Sequence, residues 1–289
     1  MRIFMTGATG SIGEGVLTEL VAAGHEVTAL VRSDRAESTV RRVGGIPLRG
    51  DLRQPGDWMA SAIARDGFIH LGATFDAEEA SIDNKVIDSF LAHDPPNGFR
   101  FLYTGGCWLY GETGDVVATE ETHFKPISAF AFAVDNARRL LARQDVSVAV
   151  VHPAMVYHRE GGVFDGYLID CEAGRPPEIH GGADIRWPLI HRDDLARAYR
   201  LLIEGKHLTG HFNVSAEVGV KVGEIASCIS KRIGNGAAPV ILSRDEAIRS
   251  GPEWAEGPML DQQMASLRLA RETRWRPLIT DYRQSDLFG

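Results

Sequence analysis

Arg2-Ile3-Phe4-Met5-Thr6-Gly7-Ala8-Thr9-Gly10-Ser11-Ile12-Gly13 carries more structural information than any other stretch of the chain. A short apolar run followed at once by three glycines reads as a buried strand turning sharply into a helix. Glycine allows the tight turn and lets a ligand approach the backbone. The first amides of the helix, with the positive end of its dipole, then form an anion site suited to a dinucleotide pyrophosphate. Gly7, Thr9, Gly10, Ser11, Ile12 and Gly13 are the residues expected around it.

Outward from this turn, strands and helices alternate, which implies an α/β fold with a parallel sheet covered on both faces. Val16, Leu17, Leu20 and Val21 give the first helix one apolar face, and Gly24 stops it. Glu26–Val31 reads as the second strand. A helix over 36–43, a strand at 46–49, a helix over 55–65 and a strand over 68–71 follow. Ile82, Val86, Phe90 and Leu91 mark a further helix, ended by Pro95-Pro96. A strand over 99–104, a long helix over 127–143 and a strand over 146–152 complete the regular half. After Tyr157, the pairs Gly161-Gly162, Pro176-Pro177 and Gly181-Gly182 break the pattern into loops. A helix from about Asp194 to Glu204 and a strand at 211–214 return to the sheet, with helices near 222–232 and 264–273 beyond. The expected organisation is a dinucleotide domain over 1–156, joined again by about 191–215. Residues 157–190 and 216–289 would form a smaller C-terminal substrate lobe.

The chain has 289 residues, 44% hydrophobic and 24% charged, with a net charge of −8. Its basic residues are scattered, which argues against a nucleic-acid or anionic-membrane partner and leaves a small-molecule substrate as the expected one. Cys107, Cys171 and Cys228 lie far apart without ligand spacing, so inert thiols and no metal site are expected. No apolar stretch approaches the roughly 20 residues that span a bilayer. A cytoplasmic location is the default expectation.

The end of the second strand bears on cofactor choice. An acidic residue there would accept from the ribose 2′-hydroxyl of NAD. The chain instead reads Val31-Arg32-Ser33, and a guanidinium beside a hydroxyl suits a 2′-phosphate. NADP is therefore favoured, with NAD possible. Asp51 and Leu52, after the third strand, are placed for the adenine, with a plain turn as the bland alternative for Asp51.

Taken together, these pieces resemble the extended short-chain dehydrogenase/reductases, the NAD(P)-dependent epimerase/dehydratase family. The resemblance rests on Thr6–Gly13, Gly50-Asp51-Leu52, Ile69-His70-Leu71-Gly72-Ala73, Asn84, Tyr110-Gly111 and His152–Tyr157. Ile190–Ala196, Phe212-Asn213-Val214 and Trp275-Arg276-Pro277 extend it over nearly the whole chain. It implies a Rossmann domain with a small substrate lobe, and cofactor contacts from Leu71, Gly72, Ala73, Thr104, His152 and Met155.

The resemblance breaks at the reaction centre. The family carries Tyr-x-x-x-Lys on the long helix, where the lysine holds the ribose and lowers the tyrosine pKa. Aligned here, Phe130 stands at the tyrosine, Val134 at the lysine and Gly106 at the serine. Phe130, Val134, Ala137 and Leu141 make that face apolar, suiting core or a homodimer helix pairing. Tyr110 and Tyr157 are weak replacements as proton donors. Thr104, Cys107, Lys125 and His158 border the same region, with His158 read as a surface-loop residue. Arg186 is a candidate for an anionic substrate group. In His191-Arg192-Asp193-Asp194, His191 is expected to bridge the two lobes and Asp194 to cap the following helix. Two functions fit: an oxidoreductase or epimerase on a carbonyl or sugar-nucleotide-like substrate with a non-standard proton relay, or a non-catalytic NADP-binding sensor comparable to the NmrA-like proteins.

Overall fold

In the computed structural model, which describes residues 1–289, Ile3, Phe4 and Met5 of β1 (Arg2–Thr6) are wholly buried. They sit between helices on both faces, as an uninterrupted apolar strand requires. β2 (Glu26–Val31), β3 (Ile46–Arg49), β4 (Gly67–His70) and β5 (Arg100–Thr104) join it. The sheet has seven strands in the order β3-β2-β1-β4-β5, then Ser147–Pro153 and, at the edge, Gly210–Val214. Every pair from β3 to Ser147–Pro153 is parallel. The chain steps outward from β1 to β3, then returns to β4 on the other side of β1. Open α/β sheets hold ligands at such a reversal.

Helices α1 (Ser11–Ala22), α2 (Asp34–Val43), α3 (Met59–Ile63), α4 (Glu79–Leu91) and α5 (Ala131–Leu141) cover the sheet. α1 buries Val16, Leu17 and Leu20, and α4 buries Ile82, Val86 and Phe90. Aromatic rings fill the core around Phe68, which meets Phe101 at 4.8 Å and Phe4 at 5.5 Å. No helix is long and apolar enough to cross a membrane.

The chain divides into two units. The first comprises Met1–Gly105, Ala131–His152 and Leu195–Phe212, and the second Gly106–Phe130, Pro153–Asp194 and Asn213–Gly289. Two expectations are corrected here. Residues 106–130 belong to the second unit, and that unit is nearly as long as the first rather than a smaller lobe.

Within the second unit, Glu217–Lys221, Arg186–His191, Met155–His158 and Gly161–Gly162 form a mixed sheet. Helices Asp165–Glu172 and Val222–Arg232 accompany it, and Tyr157, Phe164 and Tyr282 build a buried aromatic core. The region after Tyr157 is thus more regular than its glycines and prolines suggest. Three boundaries also shift. Residues 55–65 split into a 3-10 turn and α3 at Trp58, whose indole donates to the Asp51 carbonyl at 2.8 Å. α5 starts only at Ala131, because Ser128–Phe130 form a 3-10 turn closed by the Phe130 amide on Ile127. The last helix starts at Leu267, because Gln263-Met264 pair as a strand with Val117-Ala118.

Candidate functional site

The glycine turn lies at the sheet reversal. Gly7 has φ +71°, and a Cβ there would come 2.4 Å from the Leu71 carbonyl oxygen. A Cβ on Gly13 would lie 1.9 Å from the Gly7 carbonyl oxygen, so the first turn of α1 can pack on the loop only as glycine. Thr9, Gly10 and Ser11 form the exposed apex, with Ile12 partly covered. The Gly10 amide closes the turn on the Gly7 carbonyl at 3.1 Å. Gly10 has no side chain to cap α1, and the first acidic residue, Glu14, is engaged by Arg42 at 3.2 Å. A glycine turn at a helix start with no side-chain cap fits a dinucleotide pyrophosphate. Leu71 and Gly72 lie against this turn, Leu52 packs over Gly72, and Ala73 beyond is exposed.

At the end of β2, Arg32 and Ser33 are both exposed. The Ser33 hydroxyl accepts from the Ala36 amide at 3.2 Å and caps α2, which leaves its proton available. Nearby, Arg49 is bound by Asp34 and Glu37. Asp51 accepts the Arg53 amide at 2.9 Å, the side-chain turn that was its bland reading.

Beneath the turn runs a buried polar chain. Parallel register sets Thr6 beside His70 and His70 beside Tyr103, one rung across β1, β4 and β5. Thr6 Oγ1 accepts from the amides of Leu71 at 3.3 Å and Gly72 at 3.1 Å, and lies 2.7 Å from His70 Nδ1. His70 Nε2 lies 3.0 Å from Asp83 Oδ1. Asp83 Oδ2 accepts from the Tyr103 phenol and the Asn136 amide, each at 2.7 Å. Burial first, then the Asp83 charge, pushes the Tyr103 phenol well above its ordinary range.

Gly106, Phe130 and Val134, which the resemblance aligns with the family's serine, tyrosine and lysine, carry no proton donor. Phe130 packs against Trp108 at 5.6 Å, and Trp108 stacks on Trp254 at 6.2 Å. Gly257 lies flat under Trp108, where a Cβ would come 2.6 Å from the indole. Val134 is half-buried on α5. Thr104, at the end of β5, is half-buried and shares a 2.8 Å hydrogen bond with the Tyr199 phenol.

The two tyrosines offered as replacements are structural. Tyr110 is buried and donates to Asn213 Oδ1 at 2.7 Å. Tyr157 is fully buried and stacked on Phe164 at 5.1 Å. Burial raises both phenols, which opposes proton exchange near neutrality. Cys107 is buried, its thiol pushed up to about 12, and so unreactive. His158 is not a surface-loop residue: it is buried at a strand end, 2.9 Å from Glu160. Lys125 is exposed, while its backbone closes on Leu109. His152 is buried against His211 at 2.9 Å in the first unit, and Met155 is buried in the second.

Arg186 is already neutralised. It holds Asp261 through Nε at 2.9 Å and Nη2 at 2.6 Å, with Asp115 at 3.1 Å from Nη1. His191 pairs with Asp286 at 3.1 Å, so its partner lies within its own unit. The Asp194 carboxylate receives the Leu278 and Ile279 amides, each at 2.9 Å, and thereby holds the C-terminal segment, while the helix it was expected to cap starts earlier, at Arg192. No group of three or more His, Cys, Asp or Glu side chains is arranged to hold a metal ion.

Sequence reasoning passed over Thr6, His70 and Asp83 as functional groups, and Asp261 and Trp254 altogether. His70 sits inside a quoted motif, but nothing local signals its partners 64 residues upstream and 13 downstream.

Residues 3–215 match the model of the NAD dependent epimerase/dehydratase family. An uncharacterized protein of Schizosaccharomyces pombe is 29% identical over 97% of this chain and 98% of its own length. A dTDP-4-dehydro-6-deoxy-D-allose reductase of a Streptomyces species is 27% identical over 88% of this chain and 85% of its own. Among solved structures, the dTDP-glucose 4,6-dehydratase of Streptomyces venezuelae with NAD bound superimposes with a TM-score of 0.83. It shares 17% identity, over 99% of this chain and 95% of that one.

Proposed function

The chain belongs to the NAD dependent epimerase/dehydratase family, and from that premise we propose that it is an NADP-linked oxidoreductase of a small carbonyl compound, working without the tyrosine–lysine pair. The observation that carries the reading is the glycine turn at the sheet reversal, which admits no Cβ at Gly7 or Gly13 and closes against Leu71 and Gly72. Gly7–Gly13 would hold the pyrophosphate, and Arg32 with Ser33 a 2′-phosphate. A bound reduced dinucleotide supplies hydride.

The rest of the chemistry falls to the chain's own groups. Thr104 is the hydroxyl at the end of β5 that meets a substrate oxygen. With the Tyr199 phenol donating to Thr104 Oγ1, the Thr104 proton is free to point at that oxygen, and solvent replaces the proton consumed. Burial raises the Tyr199 pKa and keeps the phenol protonated for this role. Two features within the second unit bear on ligand chemistry. Arg186, closed on Asp261 and Asp115, is a poor anchor for a diphosphate, which would have to displace two carboxylates. Trp108, Phe130 and Trp254 form an aromatic cluster within that unit, which suits an uncharged, apolar carbonyl compound better than a sugar nucleotide.

One observation favours a second reading, a dinucleotide-binding sensor without turnover: Gly106, Phe130 and Val134 carry no proton donor. Loss of NADPH absorbance at 340 nm across a panel of apolar ketones and sugar nucleotides separates the two. In the enzymatic case an apolar ketone is reduced, and Thr104→Val lowers kcat about a hundredfold, far more than it lowers dinucleotide affinity. Tight NADPH binding with no turnover on either panel overturns the enzymatic reading and supports the sensor.

A further inference from the structure

The rung Thr6–His70–Tyr103 has a hydrogen-bond arithmetic that admits one solution. A threonine hydroxyl has one proton and two lone pairs. Both lone pairs of Thr6 receive backbone amides, from Leu71 and Gly72. Its proton must therefore go to His70 Nδ1, which makes that nitrogen an acceptor. His70 is then the neutral Nε2–H tautomer, and it donates to Asp83 Oδ1. Asp83 is anchored in turn by Tyr103 and Asn136, and Asn136 is fixed by accepting from Arg139 at 2.9 Å. All these groups except Arg139 are buried or nearly so, and all lie in the first unit.

The chain of donors and acceptors ends under the glycine turn. Of the two amides held by Thr6, that of Gly72 belongs to the Leu71–Gly72 peptide that abuts Gly7, where the space for even a Cβ is taken, and that of Leu71 fixes the peptide just before it. We infer that His70, locked between Thr6 and Asp83, is a positioning residue that sets the Leu71–Gly72 backbone against Gly7 and so governs the dinucleotide affinity of the turn. This rests on reading the turn as the dinucleotide site. The Thr–His–Asp arrangement looks like a nucleophile triad, yet the Thr6 oxygen is buried and saturated by amides, so it orients backbone and attacks nothing.

Two substitutions separate positioning from mere packing. Asparagine places its amide where Nδ1 stood and can still accept from Thr6, losing Asp83. Glutamine reaches the Nε2 position and can still donate to Asp83, losing Thr6. In the full-length protein, His70→Gln weakens NADP and NAD binding by calorimetry about tenfold, as the loss of a buried hydrogen bond predicts. His70→Asn stays within about threefold of the original, although thermal melting shows the two variants comparably destabilised. Thr6→Ser keeps the affinity. Nitrogen-15 NMR of the ten histidines, with His70 assigned by its loss in the variants, gives an Nε2–H neutral imidazole before any dinucleotide is added. Affinities that follow melting temperature, or an Nδ1–H or doubly protonated His70 at neutral pH, overturn the inference alone. Failure of the unmodified protein to bind either dinucleotide overturns the site reading and the inference together, and leaves the tautomer signal intact.

Discussion

Thr6 illustrates how one hydroxyl can organise a ligand site without touching the ligand. Replacing it by an isosteric valine would leave two amides and an imidazole nitrogen unsatisfied, a larger penalty than the hydroxyl's own share of burial. Arg32 is the opposite case, an exposed charge whose value depends on what arrives. Its guanidinium lies near enough to Asp76 to help hold that carboxyl below its ordinary range, while the neighbouring Asp34 is engaged by Arg49. Arg32→Ala is expected to weaken NADPH binding about tenfold, through loss of a charge-assisted contact, and to leave NADH binding nearly unchanged. Parallel titrations of the two reduced dinucleotides by fluorescence check this. Equal losses for both would mean that Arg32 does not read the 2′-phosphate. The glycines of the turn were legible from sequence because their requirement is local: no side chain fits where Gly7 and Gly13 stand.

At the scale of elements, contacts between segments distant in sequence decide behaviour. Arg100 in β5 is fully buried, and it donates to the carbonyls of Leu202 and Leu208 and to the Ser147 hydroxyl. It thereby ties the strand to the end of the helix over 192–204, a favourable place for a cation. With no carboxylate beside it, burial lowers its pKa to about 10. In the second unit, the Glu217 carboxylate accepts the Tyr282 amide at 2.9 Å and joins the strand Glu217–Lys221 to the C-terminal turn Tyr282–Gln284. Burial holds Glu217 up at about 7 against an ordinary 4.5; Asp281 pushes the same way, and the Tyr282 amide and Arg283 oppose it. The folded protein therefore holds this proton more tightly than the unfolded chain. The associated stability is complete below about pH 4.5 and is lost as pH rises through about 7. Glu217→Gln keeps the acceptor for Tyr282 and removes the titration. Urea unfolding at pH 5 and pH 8 is expected to show the variant matching the parent at pH 5 and exceeding it at pH 8. No change in that gap between the two pH values would refute the assignment. The sequence pattern located the strand of Arg100 and the helix over 194–204, but neither the strand Glu217–Lys221 nor either pairing, because periodicity records which face is buried and not which partner covers it.

For the molecule as a whole, a ligand that binds only the folded state stabilises it by mass action. NADPH at about a hundred times its Kd should add about 2.7 kcal/mol, which raises the melting temperature by roughly 5 °C, with NADH giving less at the same concentration. Differential scanning fluorimetry measures this directly, and an unchanged melting temperature in both would count against the cofactor site. By itself the sequence determined the parallel α/β sheet, the glycine turn, the basic end of β2 and the absence of any tyrosine followed four residues later by lysine. Each of these is written in spacing or in residue identity along a continuous stretch. Only the tertiary structure decided that residues 106–130 belong to the second unit, that Arg186 is closed by two carboxylates, and that Thr6, His70 and Asp83 form one chain. Those outcomes depend on which side chains the sheet register and helix packing bring within hydrogen-bonding distance, and residues far apart in the sequence carry no local trace of it.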